Sequence, residues 1–298
     1  MDGPRGRLPA TEPRIKMQRA LSTHLFANHR LTTVWLERIW NGGIPLVEIF
    51  CARQHLDYRD KAQISELGHW FRDAQLKLHS LHSPMYTDDV WGRSGPNSII
   101  TITEPVKSKR LDMVDEIKRA LEIAETVPFR YLIQHLGVAW EEYDERKIDY
   151  AFSALEEINL FARQRGVEVL LENTPNELAG AERLLMFLNV THLNVNVYFD
   201  VGHAHMRGSV ENEYRLLKPR IRSTHVHDNN GTDDSHLFPG KGTVDWARAM
   251  DLLRSADGQY PLLLELREVD EMQYPVESAR ATFDYLEGLK SLDENHDR

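Results

Sequence analysis

Residues 149–174 read DYAFSALEEINLFARQRGVEVLLENT, and the fold prediction rests on this helix-to-strand unit. From Asp149 to Arg165, apolar residues recur at spacings of three and four, the period of a helix with one buried face. Gly166 follows as the end of the helix, because glycine tolerates the left-handed backbone common at that position. The next run, Val167–Thr174, has the length and apolar content of a buried strand. This stretch therefore predicts a helix followed by a strand with both faces covered.

The alternation of apolar strand and amphipathic helix recurs eight times along the chain. The predicted strands are Leu21–Phe26, Pro45–Cys51, Lys77–Met85, Arg130–Gly137, Val167–Thr174, Val195–Val201, Ile221–Asp228 and Pro261–Arg267. Eight units in about 270 residues are typical of a single (β/α)8 TIM barrel in the α/β class. We assign the barrel to residues 18–292. Residues 1–17 are predicted to be a disordered tail, and residues 293–298 a short C-terminal tail.

Charge and cysteine content limit the classes of protein to which the chain can belong. The formal net charge of −10 disfavours a large nucleic-acid interface, although bound divalent cations could reverse the local field. The single cysteine, Cys51, excludes an intrachain disulfide and fits a reducing compartment. No apolar run is long enough to span a membrane, and the first 17 residues lack the apolar core of a signal peptide. We therefore expect a cytoplasmic protein with no membrane partner.

Histidines and carboxylates stand at or just past the ends of the predicted strands. They are His82, His135, Glu172, Asp200, His203, His225, Asp234, His236 and Glu265. Active sites of TIM barrels lie on the face formed by the carboxyl ends of the strands, where side chains from different strands converge. A glutamate that ends an apolar strand, such as Glu172, is costly to bury unless it is paired or bound to metal. The pattern predicts a metal site on that face, with ligands that suit zinc, manganese or iron.

Strand alternation predicts which of these side chains enter the barrel. His79 and His82 are three residues apart and so point to opposite faces of a regular strand. We predict that His82 points inward and that His79 faces the helical layer. His203 follows Asp200 by three residues, which requires the chain to turn after the strand, and Gly202 permits that turn.

Five segments together resemble the xylose-isomerase-like TIM-barrel superfamily. They are Leu171–Pro175 (LENTP), Phe199–His203 (FDVGH), His225–Asp228 (HVHD), Asp234–Gly242 (DSHLFPGKG) and Leu264–Glu265 (LE). This superfamily contains sugar isomerases and epimerases, and also the endonuclease IV type of abasic-site nuclease. The resemblance covers almost the whole chain after residue 20 and depends on the order and spacing of all five segments.

The resemblance to the epimerases implies one divalent ion bound by Glu172, Asp200, His225 and Glu265. In those enzymes the two glutamates also move protons on opposite faces of a sugar carbon, so Glu172 and Glu265 are the expected catalytic residues. The histidine three residues after the aspartate, here His203, contacts the substrate. One ion with this ligand set carries a charge of about −1, which suits a neutral polyol. The expected ion is manganese, zinc, magnesium or cobalt.

The resemblance to the nucleases implies up to three zinc ions and uses all nine strand-end residues. The first zinc would bind His82, His135 and a bridging Glu172; the second would bind Glu172, Asp200, His225 and Glu265; the third would bind His203, Asp234 and His236. Three ions with four carboxylates carry roughly +2, which suits a phosphate ester attacked by a metal-bound hydroxide.

Three further side chains join His203 as candidates for substrate contact. His227 lies on the same strand face as His225, and Arg267 lies on the face of Glu265, where it could bind a phosphate or carboxylate. Lys241, between two glycines, could meet an anion or remain solvated.

We therefore predict a metal-dependent isomerase or epimerase of a sugar or sugar phosphate, because the four-residue metal set is complete and the chain is acidic. A trinuclear-zinc phosphoester hydrolase is the alternative, favoured by five extra ligands for which a one-metal enzyme has no obvious need. The loops lack the dense basic and aromatic runs of a DNA-binding surface. Epimerases of this superfamily often form homodimers, so a homodimer is a further expectation from the resemblance.

Overall fold

Eight parallel strands form the centre of the computed structural model, which describes residues 17–255, 260–269 and 272–290. The strands are β1 (Arg19–Ser22), β2 (Leu46–Phe50), β3 (Lys77–His82), β4 (Tyr131–His135), β5 (Glu168–Glu172), β6 (Asn196–Asp200), β7 (Ile221–His225) and β8 (Leu262–Leu264). They follow chain order around the sheet, and β1 pairs with β8. Just past β7, Val226 bridges to Leu264 and links the two ends of the sheet. The predicted (β/α)8 barrel is confirmed.

Helices connect successive strands. They are α1 (Thr33–Asn41), α2 (Lys61–Asp73), α3 (Lys107–Leu121), α4 (Glu145–Arg163), α5 (Ala181–Thr191), α6 (Val201–Met206), α7 (Val210–Leu217), α8 (Trp246–Arg254) and α9 (Pro275–Gly288). Helix α4 is the one predicted from the opening stretch, and it begins where Asp144 accepts a hydrogen bond from the Arg146 amide. Gly166 has a φ of 72°, so the predicted left-handed residue after this helix is confirmed.

Two apolar clusters hold the barrel together. A large cluster of buried side chains from the strands and helices includes Leu155, Phe187 and Phe283. A smaller cluster fills the barrel interior with side chains from alternate strand positions. Its members are Ala20, Tyr131, Ile133, Leu170, Tyr198 and Leu263. Positions two residues further along the same strand faces are polar, so their side chains collect at the carboxyl end of the barrel.

All eight strands end earlier than the sequence predicts. The largest difference is in β1, which stops at Ser22, whereas Thr23–Phe26 form a 3-10 turn. The Ser22 hydroxyl accepts a hydrogen bond from the His24 amide and so starts the turn. The apolar character of this segment continues beyond the last ladder hydrogen bond, because its side chains stay buried after the backbone has left the sheet.

The predicted outward orientation of His79 is wrong. The pairing of β2 with β3 shifts register by one residue at this position. Such a bulge places two successive residues of one strand opposite one residue of its neighbour, and so it breaks the alternation of faces. The His79 Nε2 atom lies 3.0 Å from Ser223 Oγ on β7, four strand positions away and therefore across the barrel. His79 and His82 both point into the barrel.

The two longest connections after strands follow β3 and β7. Asp228 organises the second of them by accepting hydrogen bonds from the Gly240 amide at 2.8 Å, the Val244 amide at 3.1 Å and the Trp246 indole at 2.8 Å. Gly240 lies in a turn of this connection with a φ of 87°, a left-handed conformation that glycine adopts without strain.

The two predicted tails fall almost wholly outside the described residues and stay predictions. Met17, the last residue of the predicted N-terminal tail, is buried in the large core cluster. Within the described ranges, no helix has both the length and the apolar character to cross a membrane.

Candidate metal centre

Four overlapping groups of histidines and carboxylates occupy the carboxyl end of the barrel. In each group, one ligand atom per residue lies within 4.8 Å of the others. The groups are Glu172, Asp200, His225 and Glu265; His82, His135 and Glu172; His203, His227, Asp234 and His236; and His24, His236 and Glu265. All nine strand-end residues predicted from the sequence come together, joined by His227 and His24. They converge because parallel strands present their carboxyl ends at one face.

The deepest group is Glu172, Asp200, His225 and Glu265, all buried. The His225 Nδ1 atom lies 2.9 Å from a Glu172 oxygen, 3.3 Å from a Glu265 oxygen and 3.7 Å from an Asp200 oxygen. One imidazole nitrogen thus faces three carboxylates that come from three different strand ends.

The charge of this deep group fits a bound divalent cation. Within the described part of the chain, no lysine or arginine forms an ion pair with Glu172, Asp200 or Glu265. Burial raises the pKa of Glu265 well above its ordinary value, and although His225 opposes this shift, Glu172 adds to it. Three buried carboxylates with only imidazole partners lack positive charge, and a divalent ion would supply it.

Glu48 on β2 lies beneath His225 and was missed in the sequence. The His225 Nε2–H donates to one Glu48 oxygen at 2.8 Å, and the other accepts from the hydroxyls of Ser80 at 2.7 Å and Tyr198 at 3.2 Å. A single proton on Nε2 would leave the Nδ1 lone pair directed at Glu172, as a metal ligand requires. The sequence does mark Glu48 as a candidate, because a carboxylate in the middle of the apolar strand LVEIF is costly to bury without a partner.

The second group contains two imidazoles and shares Glu172 with the first. The Nε2 atoms of His82 and His135 lie 3.2 Å apart, and His135 Nε2 lies 2.9 Å from Glu172 Oε2. His82 Nδ1–H donates to the Ser83 carbonyl at 2.8 Å, which leaves its Nε2 lone pair free. Burial lowers the pKa of His82 to about 4, so the ring is neutral and able to bind a metal.

The third group is centred on Asp234. One of its oxygens lies 3.3 Å from His203 Nε2 and 3.2 Å from His236 Nε2. The other, Oδ1, is buried and has no hydrogen-bond partner among the described residues. Both rings are oriented through their second nitrogens, since His203 donates to the Asn173 carbonyl and His236 donates to the Glu265 carbonyl. His236 has a φ of 47°, a left-handed conformation that is uncommon outside glycine and clusters at functional sites.

His227 connects the first and third groups. Its Nε2 atom lies 3.1 Å from Asp200 Oδ2, and its ring stacks on His236 with centroids 4.1 Å apart. The predicted turn after Val201 is the start of helix α6, capped where Asp200 accepts from the His203 amide. Gly202 is therefore needed for clearance and not for a turn, because a Cβ atom there would lie 2.1 Å from His227 Cε1.

The remaining substrate-contact candidates lie at the outer surface. Arg267 is exposed and donates to the Asp234 backbone carbonyl at 3.4 Å, so it stands at the rim of the third group. Lys241 is exposed and lines a surface groove with Met272 and Tyr285. Arg267 is thus near the candidate centre, whereas nothing joins Lys241 to it.

The opening to solvent is bounded by His135 and Asp234. Their side chains are 19% and 37% exposed, whereas Glu172, Asp200 and His225 are at most 1% exposed. A ligand that reaches the deep group must therefore pass the second and third groups.

Comparison with known proteins assigns this architecture to a family. The family model described as xylose isomerase-like TIM barrel matches residues 40–292. The chain belongs to this family. The resemblance predicted from the five sequence segments is thereby confirmed.

Similar proteins extend over almost the whole chain. MJ1311 of Methanocaldococcus jannaschii is 28% identical over 286 residues, which span 92% of this chain and 90% of that protein. A D-tagatose 3-epimerase-like protein is 24% identical with a TM-score of 0.72, covering 94% of this chain and 100% of its own. The IolI protein, solved with a bound zinc atom, is 18% identical with a TM-score of 0.73, covering 91% of this chain and 96% of its own. At these identities the solved structures share the fold of the family.

Proposed function

We propose that this protein is a divalent-metal-dependent isomerase or epimerase of a sugar or sugar phosphate. The observation that carries the proposal is the meeting of two buried glutamates, Glu172 and Glu265, at the same imidazole nitrogen of His225. Epimerases of the same fold, and a zinc-bound relative, support this choice within the family.

The two glutamates approach the centre from different sides. Glu172 ends β5, and Glu265 follows β8, three strand positions further around the eight-stranded barrel. One carboxylate removes the proton from the carbon next to the substrate carbonyl, and the electron pair of that bond moves toward the carbonyl oxygen. The other then returns a proton to the opposite face of the same carbon, or to its neighbour in an isomerisation. A bound divalent ion would polarise the carbonyl and stabilise the negative charge that develops on its oxygen.

The surrounding side chains hold the substrate in this scheme. Asp200 and His225 complete the ligand set with the two glutamates, and Glu48 orients His225. His203 and His227 are proposed to bind substrate hydroxyls, since each has an imidazole nitrogen directed toward the centre. Arg267, at the rim, would bind the phosphate of a phosphorylated substrate.

The decisive experiment is proton exchange in heavy water. Metal-loaded protein is incubated in D2O with a panel of ketoses, aldoses and their phosphates, and deuterium at the carbon next to the carbonyl is followed by NMR. Glu172→Gln and Glu265→Gln are each expected to lower the exchange rate by several orders of magnitude. Glu168→Gln, at the opposite end of β5, is the matched control and is expected to keep the rate. Exchange that survives both active-site changes would overturn the assignment.

A phosphoester hydrolase with several zinc ions is the second candidate. The specific observation in its favour is that Glu172 joins the first group to the His82 and His135 pair, while Asp234 carries a buried, unpartnered oxygen beside His203 and His236. Metal content per chain, measured by inductively coupled plasma mass spectrometry on protein purified without chelators, separates the candidates. About one equivalent supports the isomerase, whereas two or three equivalents of zinc favour the hydrolase and direct the assays to phosphoester and abasic-site DNA substrates.

A further inference from the structure

A small apolar pocket adjoins the candidate metal centre between the loops that follow β3 and β4. It has a volume of about 70 Å³, and its lining includes His82 and His135, the imidazoles of the second group. Its walls are formed largely by apolar side chains, among them Met85, Ile99 and Val138. Any molecule in this pocket would therefore lie against the same imidazoles that border the proposed sugar site.

Backbone hydrogen bonds hold both walls of the pocket in place. On one side, the Ile100 amide donates to the Met85 carbonyl at 2.8 Å and ties the two ends of the long β3 loop together. On the other, the Asn176 side-chain amide donates to the Leu136 carbonyl at 3.0 Å and to the Val138 carbonyl at 2.9 Å. The shape of the pocket is thus built by the fold.

The mainly apolar lining of the pocket favours an apolar ligand group over a sugar ring. A sugar ring would leave most of its hydroxyls unpaired against such walls, which is costly. The lining also includes Ser83, whose Oγ atom is buried and has no hydrogen-bond partner among the described residues. One acceptor oxygen on a mainly apolar group would take the proton of this hydroxyl. Trp140, which is 65% exposed at the edge of the pocket, offers a flat apolar surface beside it.

We propose that this pocket binds the small apolar aglycone of a glycoside whose sugar ring lies over the deep group. The pocket holds about five water-sized volumes, enough for a short alkyl group and its linking oxygen. A glycoside cannot open to a free aldehyde, so the carbonyl needed for proton transfer lies at another ring carbon, and the substrate class is a keto-glycoside. This inference rests on the proposed function and narrows it.

Ligand-observed NMR titration of metal-loaded protein tests the pocket. The probes are the n-propyl glycosides of glucose, galactose and mannose, each compared with its parent sugar. Each buried methylene strengthens binding about fourfold, so at least one propyl glycoside is expected to bind ten times more tightly than its parent.

Variants test whether the tighter binding of propyl glycosides over their parent sugars comes from the pocket. Val138→Asp places a charge in the lining and is expected to abolish the preference, whereas Val190→Asp, on exposed α5, keeps it. Trp140→Ala, at an exposed position that does not endanger folding, is expected to reduce the preference severalfold. If parent sugars bind as well as their propyl glycosides, the proposed aglycone site is contradicted and the proposed function is unaffected. Failure of both kinds of probe to bind would overturn this inference, whereas the proposed function is tested separately by deuterium exchange with the wider sugar panel.

Discussion

Glu48 accepts a hydrogen bond from the Nε2–H of His225 at 2.8 Å, at the fully buried base of the candidate metal centre. This contact orients the His225 ring and directs its other nitrogen at Glu172, 2.9 Å away. Two hydroxyls hold the second Glu48 oxygen, so the carboxylate cannot rotate away without losing both bonds. A candidate metal ligand on one strand is thus oriented by a side chain on a strand across the barrel.

Glu48→Gln is expected to weaken metal affinity by about 10- to 100-fold, because carboxylates that orient metal-binding histidines have effects of this size. Competition with a fluorescent chelator measures the affinity directly, without reference to substrate. Glu182→Gln, on the exposed first turn of α5, is the control and is expected to bind metal normally. Unchanged affinity in Glu48→Gln would mean that His225 is held in place without this bond.

Removal of the Asp234 carboxylate distinguishes one bound ion from several. If the enzyme works with a single ion in the deep group, Asp234→Ala keeps the metal content per chain and weakens substrate binding. The reason is that Asp234 faces His203 and His236 at the opening, outside the deep group. Mass spectrometry of the purified variant measures the content, with His236→Ala expected to behave in the same way. Loss of a whole equivalent in either variant would contradict the one-ion scheme.

Gly202→Ala is expected to lower the free energy of unfolding by about 2 kcal/mol and to displace His227 from Asp200, since overpacking typically costs 1–3 kcal/mol. The added Cβ would lie 2.1 Å from His227 Cε1. Urea denaturation provides the measurement. Gly288→Ala is the control, because a Cβ at the end of α9 meets no atom of the described residues within 4 Å and should leave stability nearly unchanged. Equal stability of the two variants would show that the histidine moves aside freely.

Acid is expected to destabilise the fold through His55. Burial lowers the pKa of this ring to about 4 from 6.5, although its hydrogen bond to the His29 carbonyl opposes the shift. Its Nε2 atom has no partner for a second proton in the part of the chain that the structure describes. Between pH 6.5 and pH 4 the unfolded chain therefore binds a proton that the folded chain does not. Stability falls across this window by up to about 3 kcal/mol from this group.

The test compares His55→Asn, which can keep the donor to the His29 carbonyl but cannot titrate, with the unchanged protein. Urea denaturation at pH 7 and pH 4.5 gives the loss of unfolding free energy for each. The variant is expected to lose less between these two values. Equal losses would mean that other groups account for the acid sensitivity.

The hydrophobic periodicity of local segments was enough to predict the barrel and the residues at the strand ends. A strand and a helix differ in hydrophobic period, and eight alternations leave few architectures other than a barrel. Histidines and carboxylates at the ends of apolar runs are visible without coordinates. Because parallel strands end at one face, their convergence could be predicted even for residues as distant in sequence as His82 and Glu265.

The sequence by itself thus determined the fold class, the family and the set of residues that gather at the centre. Only the tertiary structure decided how they are arranged. His79 points inward because of a register shift between neighbouring strands. Glu48 orients His225 because the two side chains meet across the barrel. Gly202 is required because the His227 ring packs directly against it. Each of these depends on distances between residues on different strands, and periodicity within one segment carries no information about such distances.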